Sequence, residues 1–283
     1  MQQYINLNGS YYKAEEPVIH HTNRGFQYGD ALFEWMHANG THVQFFSDHI
    51  QRLTSSLSTL KMDIPGKIKN HGIYREITRL LHKNRHLKGA KVRLTVFRNT
   101  GGDYAPSDPS CSYIIESYKL PEDSYPFNSR GLLLDVYTGM TQPLHPLINV
   151  KTTHRMVHTL AGVFKVEKSL DECLLLNTRE EVTGAISSNV FLVRHAKLFT
   201  PPLASGCLDG VMRKNIIKLA LQSGWEVDDQ HPLEMEDFLH AEEVFLTNAI
   251  EGIQWVSGIG KKRYFKSTAK KLHLKLNERT ALD

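Results

Sequence analysis

The chain has 283 residues, 41% hydrophobic and 23% charged, with a net charge of +4. That is the composition of a globular protein, long enough for one large or two moderate domains. No run approaches the ~18 apolar residues of a membrane helix. The start "MQQYINLNGSYYK" has no basic stretch followed by an apolar core, so no secretory signal is expected. Three distant cysteines, Cys111, Cys173 and Cys207, make neither a disulfide framework nor a zinc knuckle. A cytoplasmic protein with no membrane partner is expected.

In chain order, "QYINLNGSYY" alternates and breaks at Asn8-Gly9, which predicts a hairpin. "SDHIQRLTSSLSTLKM" predicts a helix with Ser47 or Asp48 as N-cap and Ile50, Leu53, Leu57 and Leu60 on one face. "GIYREITRLLHKNR" predicts a second, with Ile73, Ile77, Leu80 and Leu81 inward. "AKVRLTVFRN" and "CSYIIESYKL" read as neighbouring strands around the turn-rich "TGGDYAPSDPS". "LPEDSYPFNSRG" reads as a linker. The expected organisation is a smaller N-terminal α/β domain over 1–118, a linker over 119–127 and a larger C-terminal α/β domain over 128–283.

In the second half, "GLLLDVYTG" is a predicted strand and "HRMVHTLAGVFKVEKSL" a helix. "ECLLLN" and "EVTGAISSNVFLV" are strands joined by a short turn. "GVMRKNIIKLALQSG" is a helix closed by Gly224. A strand "WEVDDQ", a helix "EMEDFLHA" and the strand-turn-strand "EVFLTNAIEGIQWV" follow. The basic ending "KKRYFKSTAKKLHLKLNER" keeps an apolar stripe at Ala269, Leu272 and Leu276. It reads as a solvated helix, and without a base-reading motif no nucleic-acid partner is expected.

"GIGKK" at 258–262 lacks the Ser/Thr of a phosphate-binding loop and reads as a hairpin turn. His82 and His86 have no third ligand nearby, so no metal site is expected. Other segments suit a bound phosphate. Arg52 in "DHIQRL" is either an exposed helix arginine or a two-pronged phosphate holder. "CLDGVMRKN" puts Gly210 before a helix start, where N–H groups point outward. "FLTNAI" ends a strand on Thr247 and Asn248. Lys151 in "INVKTTHRM" is either a surface lysine or, if shielded from water, a Schiff-base lysine.

Seven segments in order, "RGFQYGDALFEWMHANG", "DHIQRL", "VKTTHRM", "SSNVFLV", "LFTPPL", "LDGVMR" and "EEVFLTNAI", resemble the class IV aminotransferase family of pyridoxal-phosphate (PLP) enzymes. This family includes branched-chain and D-amino-acid aminotransferases and 4-amino-4-deoxychorismate lyase. The resemblance implies the two-domain α+β architecture of fold type IV (D-amino-acid aminotransferase-like), the cofactor PLP and a homodimer. It implies Lys151 as the catalytic, cofactor-bearing lysine. Arg52, the backbone of Val211 and Met212, and Thr247 or Asn248 would hold the phosphate. Ser187 and Asn189 would lie on the cofactor-facing hairpin, with Asn189 equally suited to a structural hydrogen bond. Arg98, Arg155 and Glu34 are the implied substrate-binding residues. Arg93, five residues before Arg98, points to the opposite strand face.

One departure stands out. The family's Glu-x-x-x-x-Asn-x-Phe pattern, anchored on Asn189 and Phe191, puts the carboxylate for the pyridine nitrogen at Gly184. Glu181 has the wrong parity to replace it, and Glu180 lies ~13 Å away at ~3.3 Å per residue. A strand bulge could rescue the contact. If the missing carboxylate is the defect, Gly184→Glu should raise turnover. Met156 stands where branched-chain aminotransferases have Tyr, while Arg155 suits the lyase branch and Glu34 the transaminases. The implied reaction is amino transfer between a small amino acid and a 2-oxo acid. The alternatives are pyruvate elimination from aminodeoxychorismate, giving 4-aminobenzoate, and a non-catalytic family member.

Overall fold

The computed structural model describes residues 2–282, which divide into two compact units. The first comprises the chain up to Ser124 together with Lys151–His154; the second comprises Tyr125–Val150 and Arg155–Leu282. Among the described residues no helix is long and apolar enough to cross a membrane.

The first unit is one antiparallel sheet with its two long helices on one face and a five-residue helix against the other. β1 (Tyr4–Leu7) and β2 (Ser10–Lys13) form the hairpin, with Asn8 and Gly9 at φ 53° and 94°. α1 (Arg24–Tyr28), β3 (Ala31–Asn39), β4 (His42–Val43) and α2 (Phe46–Thr59) follow. α3 (Gly66–Lys69), α4 (Gly72–Lys83), β5 (Gly89–Arg98) and β6 (Cys111–Lys119) complete it. The strand order is β2-β1-β6-β5-β3-β4. Side chains alternate across the pleat. Leu32, Met36 and Ala38 of β3 pair with Val96, Val92 and Ala90 of β5, and all are buried. α2 packs on β3 and α4 on β1 and β6, through Ile50, Leu53, Leu57, Ile73, Ile77 and Leu80.

Two local expectations change. Helix α2 starts one residue before Ser47; its N-cap is Phe45 at φ 53°, with no side-chain cap. Asp48 lies in the first turn, where its charge favours the helix dipole without capping it. Arg98 cannot take a substrate carboxylate here. Its Nε donates to Asp30 at 2.9 Å, and Nη1 and Nη2 donate to the Lys61 and Leu60 carbonyls at 3.0 and 2.9 Å. Its fork closes the C-terminal end of α2, satisfying carbonyls the helix leaves open. Asp30 also accepts from Arg24 Nε at 2.9 Å, and Arg24 Nη1 reaches the carbonyls of Gly101, Gly102 and Asp103.

The change of unit falls between Ser124 and Tyr125 for a visible reason. Asp123 accepts the Gly89 N–H at 3.0 Å, tying it to β5. Two residues later Tyr125 is clasped through its backbone by Asn277 at 3.1 and 3.0 Å. Lys151–His154 departs from the expected boundary more sharply. Thr152 bridges Leu32, the Phe33 N–H donates to the Lys151 carbonyl at 3.1 Å, and the Thr153 N–H to Ala31 at 3.0 Å. The segment is an edge addition to β3, so the lysine expected in the C-terminal domain groups with the first unit.

The second unit holds β7 (Leu132–Val136), α5 (Met156–Glu167), β8 (Glu172–Leu176), β9 (Val182–Ala185) and β10 (Asn189–Arg194). β11 (Lys197–Phe199), α6 (Val211–Gln222), β12 (Glu226–Asp228) and α7 (Met235–His240) come next. β13 (Glu243–Asn248), β14 (Gly252–Ile259), β15 (Lys262–Arg263) and α8 (Ser267–Leu282) end the chain. The sheet runs β12-β11-β10-β13-β14-β7-β8-β9, with β15 on β14. Leu174, Val190, Leu192, Phe238, Val244 and Leu246 centre its core. "GIGKK" is the β14–β15 turn, and α8 buries Ala269, Leu272 and Leu276.

"EVTGAISSNVFLV" is two strands, not one. β9 meets β8 with a bulge, where Leu175 pairs with Gly184 but Leu176 with Val182, leaving Thr183 as the extra residue. Thr183 Oγ1 donates to Gln142 at 2.7 Å. Gly184 has φ 149°, and a Cβ built there lies 2.9 Å from the Ser188 carbonyl oxygen. Both conditions disfavour any side chain. Gly184→Ala is expected to lower unfolding free energy by about 1–3 kcal/mol, read from a urea denaturation midpoint. Gly184→Glu is expected to share this loss, so the turnover gain anticipated from the sequence is not the expected outcome.

Candidate functional site

Strand parity sorts the expected residues of the first unit. Lys151 lies opposite Phe33 on the sheet face away from α2 and α4; it is half-buried, and its Nζ is 5.1 Å from the Phe33 ring centroid. Beside Phe33 lies Arg93, with its guanidinium 5.1 Å from the Phe33 ring and 5.6 Å from Trp35. Arg93 faces Glu116 at 3.9 Å, and its Nε is buried without a hydrogen-bond partner. Arg93 and Glu116 also line a cleft of about 500 Å³, with Thr153, Ala31, Thr95 and Phe97 in its wall. Arg93 was not among the expected site residues. Its parity was legible, but its value was not until Lys151 took the same face.

Glu34 has the opposite parity. It is 1% exposed, beneath α2, and cannot meet a substrate on the Lys151 face. Its Oε1 accepts from Arg52 Nε at 2.8 Å and its Oε2 from Arg52 Nη2, a side-on ion pair. His49, on α2 one turn before Arg52, meets Oε2 through Nδ1 at 2.7 Å. Burial by itself would raise the Glu34 carboxyl, but the Arg52 guanidinium and the His49 ring hold it far below the usual carboxylate range. Burial pushes His49 down; Glu34 opposes this, while the charges of Arg52 and Lys151 assist it. A neutral His49 whose Nδ1–H donates to Glu34 follows. Its Nε2 is buried without a partner.

In the second unit, a strand end and a helix start meet. Asn189 of β10 pairs with Thr247 of β13, so both side chains lie on one sheet face. Asn189 Nδ2 donates to the Leu208 carbonyl at 2.9 Å, and a Cβ at Gly210 would collide with Asn189 Oδ1. The glycine is therefore required first by Asn189, which is the structural use of that side chain. Gly210 is the N-cap of α6, with no side-chain cap and no acid in the first turn. Val211 and Met212 follow, both buried; as first-turn residues their N–H groups have no acceptor within the helix. Thr247 is 1% exposed and its Oγ1 has no partner. An orphaned buried hydroxyl beside an uncapped helix start fits a phosphate, which would accept from all three.

Three expected residues are committed elsewhere. The Asn248 amide is spent on the β13–β14 turn: Oδ1 accepts the Ile250 and Glu251 N–H groups at 2.9 and 2.8 Å, and Nδ2 donates to Glu251 and Ser188. Of the Thr247/Asn248 pair, Thr247 thus suits the phosphate. Ser187 Oγ donates to Glu172 at 2.8 Å; burial raises that carboxyl, partly offset by the Ser187 bond. Arg155 caps no helix through its side chain, which contacts His158 at 3.3 Å and the Val150 carbonyl at 3.3 Å. Position 184 supplies no carboxylate, and its neighbours do not replace it. Glu181 is tied to Asn177 at 2.7 Å, and Glu180 is exposed in a turn at φ 65°.

Residues 31–259 match the model of the family described as Amino-transferase class IV. A Methanocaldococcus jannaschii protein named "Putative branched-chain-amino-acid aminotransferase" is 30% identical over 251 residues, covering 86% of this chain and 83% of its own. The aminodeoxychorismate lyase of Vibrio harveyi is 26% identical over 242 residues, covering 84% and 86%. The fold matches a branched-chain aminotransferase from Thermoproteus uzoniensis with a TM-score of 0.88 at 20% identity, over 98% and 94% of the two chains. The chain belongs to the class IV aminotransferase family, an enzyme family.

Proposed function

We propose that this protein is a PLP-dependent enzyme transferring an amino group between a small amino acid and a 2-oxo acid. The observation that carries the reading is Lys151 on the Phe33 face of the sheet, its Nζ against the Phe33 ring that also meets Arg93. The bound cofactor supplies an electron sink for bond breaking at the substrate α-carbon. Lys151 would hold the cofactor through Nζ and would move the proton at the substrate α-carbon. The α6 N–H groups of Val211 and Met212, with Thr247 Oγ1, hold the phosphate in the second unit. In the first unit, Arg52 is the candidate phosphate holder. Arg93 replaces Arg98 as the group meeting a substrate carboxylate, while Glu116 limits its net charge. With no anion at position 184, proton transfer at Lys151 carries more of the barrier.

The second reading is elimination of pyruvate from aminodeoxychorismate. It is favoured by Met156, 59% exposed where a branched-chain aminotransferase has Tyr, and by the Vibrio harveyi relative. A cytoplasmic location is part of the proposal, because three free thiols suit a reducing compartment. A homodimer is also part of it. Met156, Leu160, Val163 and Val166 make an exposed apolar stripe along α5 at helical spacing.

Borohydride reduction of the PLP-loaded protein should fix the cofactor on Lys151, and Lys151→Ala should abolish the adduct and lower turnover about 10³-fold or more. An adduct of equal yield on the variant would refute the assignment. The same preparation, offered a panel of amino acids, should release 2-oxo acids. Formation of 4-aminobenzoate and pyruvate from aminodeoxychorismate, with no amino transfer, would establish the lyase instead.

Thr247→Val keeps the shape and removes the orphaned hydroxyl. PLP affinity should fall about tenfold while folding stability holds or rises slightly; unchanged affinity in a PLP titration would remove Thr247 from the phosphate site. Leu160→Glu, on the exposed stripe, should shift sedimentation toward the monomer. An unshifted dimer would mean that α5 lies outside the interface.

A further inference from the structure

We propose that Glu34 and His49 are positioning residues that fix the guanidinium of Arg52 for an anion. The inference rests on the reading of Arg52 as a phosphate holder. Alternation along β3 sends Glu34, together with Leu32, Met36 and Ala38, under the helices, and it is an acid among apolar neighbours. Burying such a carboxylate costs several kcal/mol unless it is paired and hydrogen-bonded, and an apolar residue of similar volume would often serve stability as well or better. Stability by itself therefore gives little reason for an acid here.

The geometry gives another. Arg52 presents Nε and Nη2 to the two oxygens of one carboxylate. A two-point grip fixes the plane of the guanidinium, where a single contact would leave it free to turn. The carboxylate is itself held by the His49 Nδ1 contact at 2.7 Å, and His49 is 0% exposed. His49 and Arg52 are three residues apart on α2, so one helix face delivers both groups to the same acid. Glu34 offsets the charge of Arg52, which weakens attraction for an anion. Its benefit is orientation: an arginine already fixed loses little side-chain freedom when the anion arrives.

The test compares PLP with pyridoxal, which has the aldehyde but no phosphate. Full-length protein freed of cofactor is titrated with each, and with inorganic phosphate as competitor, following the bound-cofactor absorbance. In Arg52→Gln, PLP affinity should fall about 100-fold and pyridoxal affinity stay within about twofold. In Glu34→Gln, PLP affinity should fall about tenfold, again sparing pyridoxal. His49→Ala should lower the PLP-to-pyridoxal preference about threefold to tenfold, and His49→Asn, whose amide can still donate to Glu34, should restore it. The histidine pair carries the test if Glu34→Gln does not fold. A preference unchanged in Glu34→Gln and His49→Ala, or equal losses for both ligands, would overturn the positioning role while leaving Arg52 intact. A preference unchanged in Arg52→Gln would overturn the underlying reading and the positioning role with it.

Discussion

The arrangement depends on one piece of backbone pairing. Residues 151–153 lie along the free edge of β3, with the Phe33 N–H donating to Lys151 and the Thr153 N–H to Ala31. Because side chains alternate across a strand, this register commits Lys151 to the face of Phe33. A slip of one residue would put Thr152 there and turn the lysine toward α2. Everything with the parity of Phe33 then shares a surface with the lysine: Trp35, Arg93 across β5, and Glu116 across β6. Everything with the parity of Glu34 is sealed under the helices. The same alternation that builds the core thus separates two sets of charged groups with different uses.

The buried set is dense. Glu34 binds His49 and Arg52, while Asp30 binds Arg24 and Arg98. Each acid is shared by two basic side chains. Arg24 and Arg98 spend their donors on the 101–103 carbonyls and the end of α2, respectively. These are structural tasks, although an arginine at the end of a strand reads in sequence like a substrate contact. In the second unit, no acid stands in the first turn of α6, and Arg213 there donates to the Pro201 carbonyl at 3.0 Å and to Asp229 at 3.3 Å. Asn189 spans from β10 to the Leu208 carbonyl, fills the space a Gly210 side chain would need, and stands beside Thr247.

Gly184 shows how a missing group and an altered backbone go together. The family resemblance implies a glutamate where this chain has Gly184. The structure adds a bulge at Thr183, φ of 149° and a carbonyl 2.9 Å from any Cβ. The local chain has adopted a path that tolerates only glycine, so the change is not a simple deletion of one carboxylate. The bulge does not bring Glu181 into use, since Asn177 binds its side chain and backbone together.

Local pattern alone determined a good deal: the helices over α2, α4, α5 and α6, the Asn8-Gly9 and "GIGKK" turns, the α/β class and the segments that carry the family resemblance. These depend on periodicity, turn residues and short motifs, all contained within a few neighbouring positions. What tertiary structure decided was which polar group meets which. Arg98 and Arg93 differ only in strand parity, Thr247 and Asn248 only in which is consumed by a turn, and Lys151 joins the first unit only because β3 has an open edge. Hydrogen bonds between residues tens of positions apart settle those outcomes, and no window along the chain contains both partners.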